Sequence, residues 1–233
     1  MTDQLWLNLG WVLAAGLLGF TTSAVFSGWL HFARRLFLLP YFVLTGAFLY
    51  GFCYWSQLNL ISLLTQNWYW GLLGGTIVGV FLVRTVRSQA ASARSTGMGL
   101  VFDTVWVGLG YGAVDALFLN VMPVVAVWNG FSAGGWTDAW PGKIAAGLFA
   151  LLASLLVTLL YHLGYPEFRN RKVALVLLGN ALITLAFLVS GNPLGALVSH
   201  VAMHVAAVFQ GPETMIQLPP HYSTARVGLA ESK

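Results

Sequence analysis

The stretch VFDTVWVGLGYGAVDALFLNVMPVVAVW, Val101–Trp128, is almost wholly apolar, carries no Lys or Arg, and yet contains two acids, Asp103 and Asp115. About 20 apolar residues suffice for a helix to cross a hydrocarbon core about 30 Å thick. This run exceeds that length, so it predicts a membrane helix that is tilted or broken along its course. The rest of the chain agrees. Of its 233 residues 58% are hydrophobic and only 8% charged, whereas a soluble domain carries roughly 25% charged residues. Mean hydropathy is +0.77. Too few charges are present to coat a water-facing surface, so lipid is the expected solvent. The ten Trp suit the interfacial belts of membrane proteins.

Outward from 101–128, apolar runs predict further spans at 5–30, 36–56, 68–88, 143–163, 173–190 and 193–210, with the central one at 100–128. The fold class expected is therefore all-α: a polytopic integral membrane bundle of about seven transmembrane helices. Residues 1–210 form one domain and 211–233 a polar tail. Basic residues test the count. Arg34 and Arg35, then Arg84, Arg87 and Arg94, then Arg169, Arg171 and Lys172, then Arg226 and Lys233 all fall on one side, with only Lys143 on the other. The positive-inside rule then sets the N-terminus outside and the C-terminus in the cytoplasm. The N-terminal MTDQLWLN lacks a basic region, so no secretory leader is expected. The single Cys53 excludes an intrachain disulfide and a thiolate metal site. The net charge of +4 is explained by topology, and no nucleic-acid partner is expected. Membrane lipids are, and the loop RTVRSQAASAR is expected to contact anionic lipid. A bacterial-type plasma membrane, or an equivalent internal membrane, is the expected location.

Two ridges of small residues stand out, Gly71, Gly75 and Gly79 in one span and Gly108, Gly112 and Ala116 in another. Four-residue spacing of small side chains lets helix backbones approach closely, and bundle packing is the reading this supports. His31, beside Arg34 and Arg35, reads as an interfacial ring, and His221 as a solvated side chain of the tail.

Ionisable groups inside spans are costly and mark functional sites. Here they are Asp103, Asp115, His162, His200 and His204, with Asn120 and Asn180 as polar neighbours. His200 and His204, four residues apart in GALVSHVAMHVAAVF, share a helix face. By depth, Asp115, His200 and His204 are expected to meet in one layer. Asp103 and His162 would form a shallower one, from which His162 reaches the first if its helix tilts. Such a cluster can bind a metal and acidify its water. It can activate water without a metal, relay protons or ligate haem, or simply pin the bundle by hydrogen bonds. The cofactor, if there is one, is left open.

The order of these residues resembles that of the CPBP (CAAX protease and bacteriocin-processing, or ABI) intramembrane proteins. That family carries Glu-Glu-x-x-x-Arg, Phe-x-x-x-His and His-x-x-x-Asn/Asp motifs on successive helices. The chain offers VDALFLN at 114–120, VTLLYH at 157–162 and HVAMH at 200–204, the last preceded by NPLGALVSH. The resemblance spans residues 100–210. It departs from the family pattern at several positions. One acid, Asp115, stands for the pair; Leu119 or Asn120 falls at the arginine; Thr158 stands at the Phe; His204 stands at the Asn. The resemblance implies a peptidase in which Asp115 is the base and His162 and His200 orient water, with His204 in support, acting on a hydrophobic or prenylated peptide. Two readings stand beside it: a non-catalytic subunit of a membrane complex, and a metal, haem or proton-handling protein.

The topology is checked by cysteine labelling in a Cys53→Ser background. Ala93→Cys is expected to react with an impermeant thiol reagent only from the cytoplasmic side, and Ala139→Cys only from the opposite side.

Overall fold

The computed structural model describes residues 3–211 together with 217 and 218. The expected tail, with His221, Arg226 and Lys233, therefore lies almost wholly outside the described residues. Eight α-helices and no strand occur among the described residues. They are α1 (Asp3–Trp29), α2 (Arg34–Ser56), α3 (Leu60–Thr65), α4 (Trp68–Arg87), α5 (Met98–Ala133), α6 (Trp140–Leu163), α7 (Lys172–Ser190) and α8 (Leu194–Gln210). Six are long and apolar enough to cross a bilayer, and α8 is a shorter apolar helix. The protein is an all-α membrane bundle. Its seventh expected span, α8, rises about 26 Å over 17 residues, slightly less than the hydrocarbon core. The short α3, which links the second and third spans, was not anticipated.

Helix α5 is the hub. Of its most apolar window 78% is buried, against 28–39% for the other five long helices. The others show lipid about two thirds of their surface, as their exposed Leu, Val and Phe side chains confirm. The expected break in the long span takes the form of two wide π-helical segments, Thr104–Tyr111 and Ala116–Val121. Between them Gly112–Asp115 makes a single α turn. Wide turns of this kind recur at functional sites.

Both small-residue ridges face α8. A Cβ on Gly75 would lie 2.9 Å from the Leu194 carbonyl oxygen and 2.9 Å from Val198 Cβ. One on Gly79 would meet Ser199 Cα at 3.4 Å. From the other side, a Cβ on Gly108 would lie 3.0 Å from Val205 Cγ2, and one on Gly112 would lie 3.1 Å from Val201 Cα. Helix α8 is thus wedged between α4 and α5, and α4 is the helix it packs against most extensively. Its start is fixed by Asn192. The side-chain amide donates to the carbonyls of Leu63, Leu64 and Gln66, at 3.2, 3.0 and 2.6 Å, while Oδ1 accepts from the Leu194 amide at 2.8 Å. Gly191, at φ +64°, closes α7 and permits the tight turn into α8.

The basic ends gather. Arg35 at the start of α2 pairs with Asp103 on α5, and Arg94 donates to the Phe209 carbonyl at 2.9 Å. Gln210, closing α8, reaches the Gln89 carbonyl just after α4 at 2.7 Å. Gly75→Val is expected to cost about 1–3 kcal/mol by overpacking, read as a lower thermal midpoint in detergent. Gly46→Ala, with open space around its Cβ, is expected to stay within about 0.5 kcal/mol of the parent.

Candidate functional site

Three of the four residues to which the resemblance gives a role converge. Asp115, on the α turn of α5, and His200 and His204, on the face of α8 wedged against it, are 2%, 4% and 1% exposed. Nε2 of each histidine lies 3.9 Å from Asp115 Oδ2. The two rings stack with centroids 4.9 Å apart and planes 10° apart. The fourth residue, His162 at the end of α6, lines the same cavity but is not one of the three whose ligand atoms cluster. Its Nδ1 is 2.8 Å from the Thr158 carbonyl and so donates to it. Asp103 does not form a layer with His162. It accepts from Arg35 Nε at 2.8 Å and Nη2 at 2.9 Å, and from Ser95 Oγ at 2.7 Å.

Asp115 is held from behind. Its Oδ1 accepts a hydrogen bond from the Tyr41 hydroxyl of α2, and the buried Tyr111, one turn earlier on α5, shares its face of the helix. The phenols continue as a chain, since Tyr165 donates to Tyr161 at 2.6 Å and Tyr161 lies 3.1 Å from Tyr111. A buried carboxyl without donors would be prohibitive, and the Tyr41 phenol makes it tolerable.

His200 is held by a second network. Asn120 Nδ2 donates to Asn180 Oδ1 and Thr184 Oγ1, both at 2.8 Å. Asn180 Nδ2 donates to Ser154 Oγ at 2.9 Å, and Ser154 donates to the Leu119 carbonyl at 2.6 Å. The Asn120 amide group is thereby oriented, and its Oδ1 faces His200 Nδ1 at 2.9 Å. His200 therefore carries its proton on Nδ1. Nε2, on the Asp115 side, keeps a bare lone pair.

His204 has no such support. Neither ring nitrogen has a hydrogen-bond partner among the described residues, although both are buried. Among the described residues its close ring neighbours are His200 and the Tyr111 ring, whose centroid is 4.8 Å away. An unsatisfied buried polar group costs about 1–3 kcal/mol, so this ring is a liability to the fold taken alone.

In front of the three side chains lies a cavity of about 220 Å³. Its inner wall is polar, with Thr158, His162 and Asn180 beside the cluster; its outer wall is Phe81, Leu175 and Leu178. Those three are 56%, 61% and 62% exposed on the outside of the bundle. The cavity is thus flanked by apolar side chains of α4 and α7 at the bundle surface, and by Thr85, Gln89 and Gln217 toward the end of α4.

Two functional elements escaped the sequence reading. Tyr41 sits in an early span with no acid nearby in sequence, and nothing local signals its partner. Tyr111 was readable, because it precedes Asp115 by four residues and so shares its face. Asn120, noted only as a neighbour, follows Asp115 by five residues, about 140° away around a regular α-helix. The wide turn over Ala116–Val121 returns it to the same side.

No family model matches the chain, and neither a curated protein nor a solved structure matches it. The likeness to CPBP proteins is one of motif order.

Asn120→Leu removes one acceptor and two donors from the network behind His200. It is expected to lower stability by about 1–3 kcal/mol or more, measured by thermal unfolding in detergent. Thr184→Val, which leaves the Asn120–Asn180 bond in place, is expected to cost less.

Proposed function

We propose that the protein is a membrane-embedded hydrolase, a peptidase of the CPBP type, that activates water at Asp115, His200 and His204. One observation carries this reading. A carboxylate and two imidazoles, all buried, converge on a cavity whose wall between α4 and α7 is apolar. The order of the motifs supports it independently.

The tautomer of His200 refines the roles. A water in front of the cluster donates one hydrogen to the bare His200 Nε2, which orients it, and gives its other proton to Asp115 as it attacks the carbonyl carbon of the substrate. The carbon–oxygen double bond becomes an oxyanion. His200 cannot donate to that oxyanion, because its one N–H is bound to Asn120, so the donor is an N–H of His204, which no other described residue claims. When the intermediate collapses, the carbon–nitrogen bond breaks and Asp115 returns its proton to the leaving amine. His162, also with Nδ1 engaged, borders the cavity and contacts the leaving or entering segment. The apolar wall between α4 and α7 suits a substrate already dissolved in the bilayer, which fits a hydrophobic or prenylated peptide. A bacterial-type plasma membrane, or an equivalent internal membrane, would supply it.

The departures at the acid pair and at the arginine position favour one other reading, a subunit that keeps the fold within a membrane complex without catalysis. Hydrophobic and prenylated peptides offered to the protein in nanodiscs separate the two. Asp115→Asn and His200→Ala are each expected to slow cleavage by about 10²–10⁴-fold. Equal cleavage by parent and variants, or none by any, ends the peptidase reading.

A further inference from the structure

We propose that Asp115, His200 and His204 bind one zinc ion, with its fourth coordination position open to the cavity. The inference rests on the hydrolase reading for what the ion does, and not for whether the ion binds.

Four observations converge on it. The first is the donor set. Oδ2 of Asp115 and a ring nitrogen from each histidine lie within 4.8 Å of one another. Two imidazoles and one carboxylate suit a borderline ion and not calcium or magnesium, which prefer all-oxygen sets. The second is spacing. Histidines at i and i+4 on one helix face, with a third ligand from elsewhere, recur in zinc hydrolases. Three protein ligands with one open position describe a catalytic zinc site.

The third is distance. Zinc bonds of about 2.0–2.2 Å at a tetrahedral angle place neighbouring ligand atoms about 3.4 Å apart. The 3.9 Å gaps from Asp115 Oδ2 to the two Nε2 atoms close to that value with about 0.5 Å of side-chain movement, and the wider separation in the set, within 4.8 Å, closes with about 1 Å more of ring rotation. Those gaps are too long for hydrogen bonds. The rings stand with their planes 10° apart, so one of them would turn to bring its in-plane lone pair onto a shared ion.

The fourth is the pattern of satisfied and open atoms. A zinc-bound histidine commonly donates its other N–H to a carbonyl-type oxygen, which fixes the tautomer. His200 does this through Asn120 Oδ1. Tyr41 likewise occupies Asp115 Oδ1, leaving Oδ2 toward the histidines. His204, 1% exposed, has no hydrogen-bond partner among the described residues and turns Nε2 toward Asp115 Oδ2, and an ion would be its partner. In the hydrolase, the ion would hold the attacking water and acidify it, and Asp115 would act as ligand, its role as base passing to a neighbouring group such as His162.

The test is zinc binding by the full chain, purified in detergent, stripped with a chelator and re-equilibrated with zinc chloride. Mass spectrometry of the metal is expected to find about one zinc per chain. Cobalt(II) in its place is expected to give the visible absorption bands of a four-coordinate site. His204→Asn is expected to lose both signals while keeping the thermal midpoint of the stripped parent, since it removes only an unpaired ring. Asn120→Ser is expected to weaken zinc binding about 10–100-fold, and His31→Asn to leave it unchanged. A parent that retains no zinc overturns the proposal, as does equal zinc in His204→Asn or iron(II) taken in preference to zinc. Peptide cleavage by the stripped protein would remove the ion from the reaction and leave the hydrolase. Stoichiometric zinc without cleavage of any peptide would do the reverse.

Discussion

The approach of α8 to the backbones of α4 and α5 is the constraint on which the rest depends. Two ridges of small residues face it from opposite sides, and at Gly75 and Gly112 the space for a side chain is already filled by α8 atoms. In a bilayer, lipid tails are as apolar as the side chains they replace, so helices associate through such close packing and through polar contacts. The wedge does both. Close packing brings α8 within reach of α5, and His200 then reaches Asn120. With side chains at the glycine positions, the helix would stand further off and that hydrogen bond would be lost. The short length of α8 fits this role, since both of its ends are tied, by Asn192 at the start and by contacts from Arg94 and to Gln89 at the finish.

Much of this was legible in the sequence because the bilayer reduces the problem to a few rules. Helix boundaries fell within a few residues of the runs at 36–56, 68–88, 143–163, 173–190 and 193–210, since hydrophobic length alone sets them. The convergence of Asp115 with His200 and His204 was also readable. Each costs free energy in an apolar bundle, and groups of that kind seek one another. The small-residue ridges could be read as contact faces, but not their common partner. Identity of partner is a tertiary fact, and spacing carries no information about it.

What stayed hidden follows from broken periodicity. The two π-helical segments in α5 shift the register on either side of Asp115. A wheel drawn with 3.6 residues per turn puts Asn120 away from Asp115, when in the fold both attend His200. The pairing of Asp103 went astray for a related reason. It was placed by depth with His162, but Arg35 arrives at the same depth from α2 and offers a bidentate bond. Such a pair outbids a neutral ring, because charge-assisted bonds are about twice as strong as neutral ones.

The distribution of satisfied groups separates a structural polar cluster from a chemical one. Asn120, Asn180, Ser154 and Thr184 lie in the same bundle and are closed among themselves, each side chain bonded to another or to a carbonyl. Such a cluster pins helices, and its one outward bond, from Asn120 Oδ1, orients His200. Asp115, His200 and His204 are built with a polarity that network lacks. Behind them Tyr41 and Asn120 are bonded at normal or short distance; in front, the atoms that face one another are too far apart to bond and too buried for bulk water. If holding the bundle together were their purpose, shifting the rings by about 1 Å would make hydrogen bonds and remove the penalty on His204. The packing of α8 between α4 and α5 sets the rings at that distance, and the unbonded front of the cluster faces the cavity.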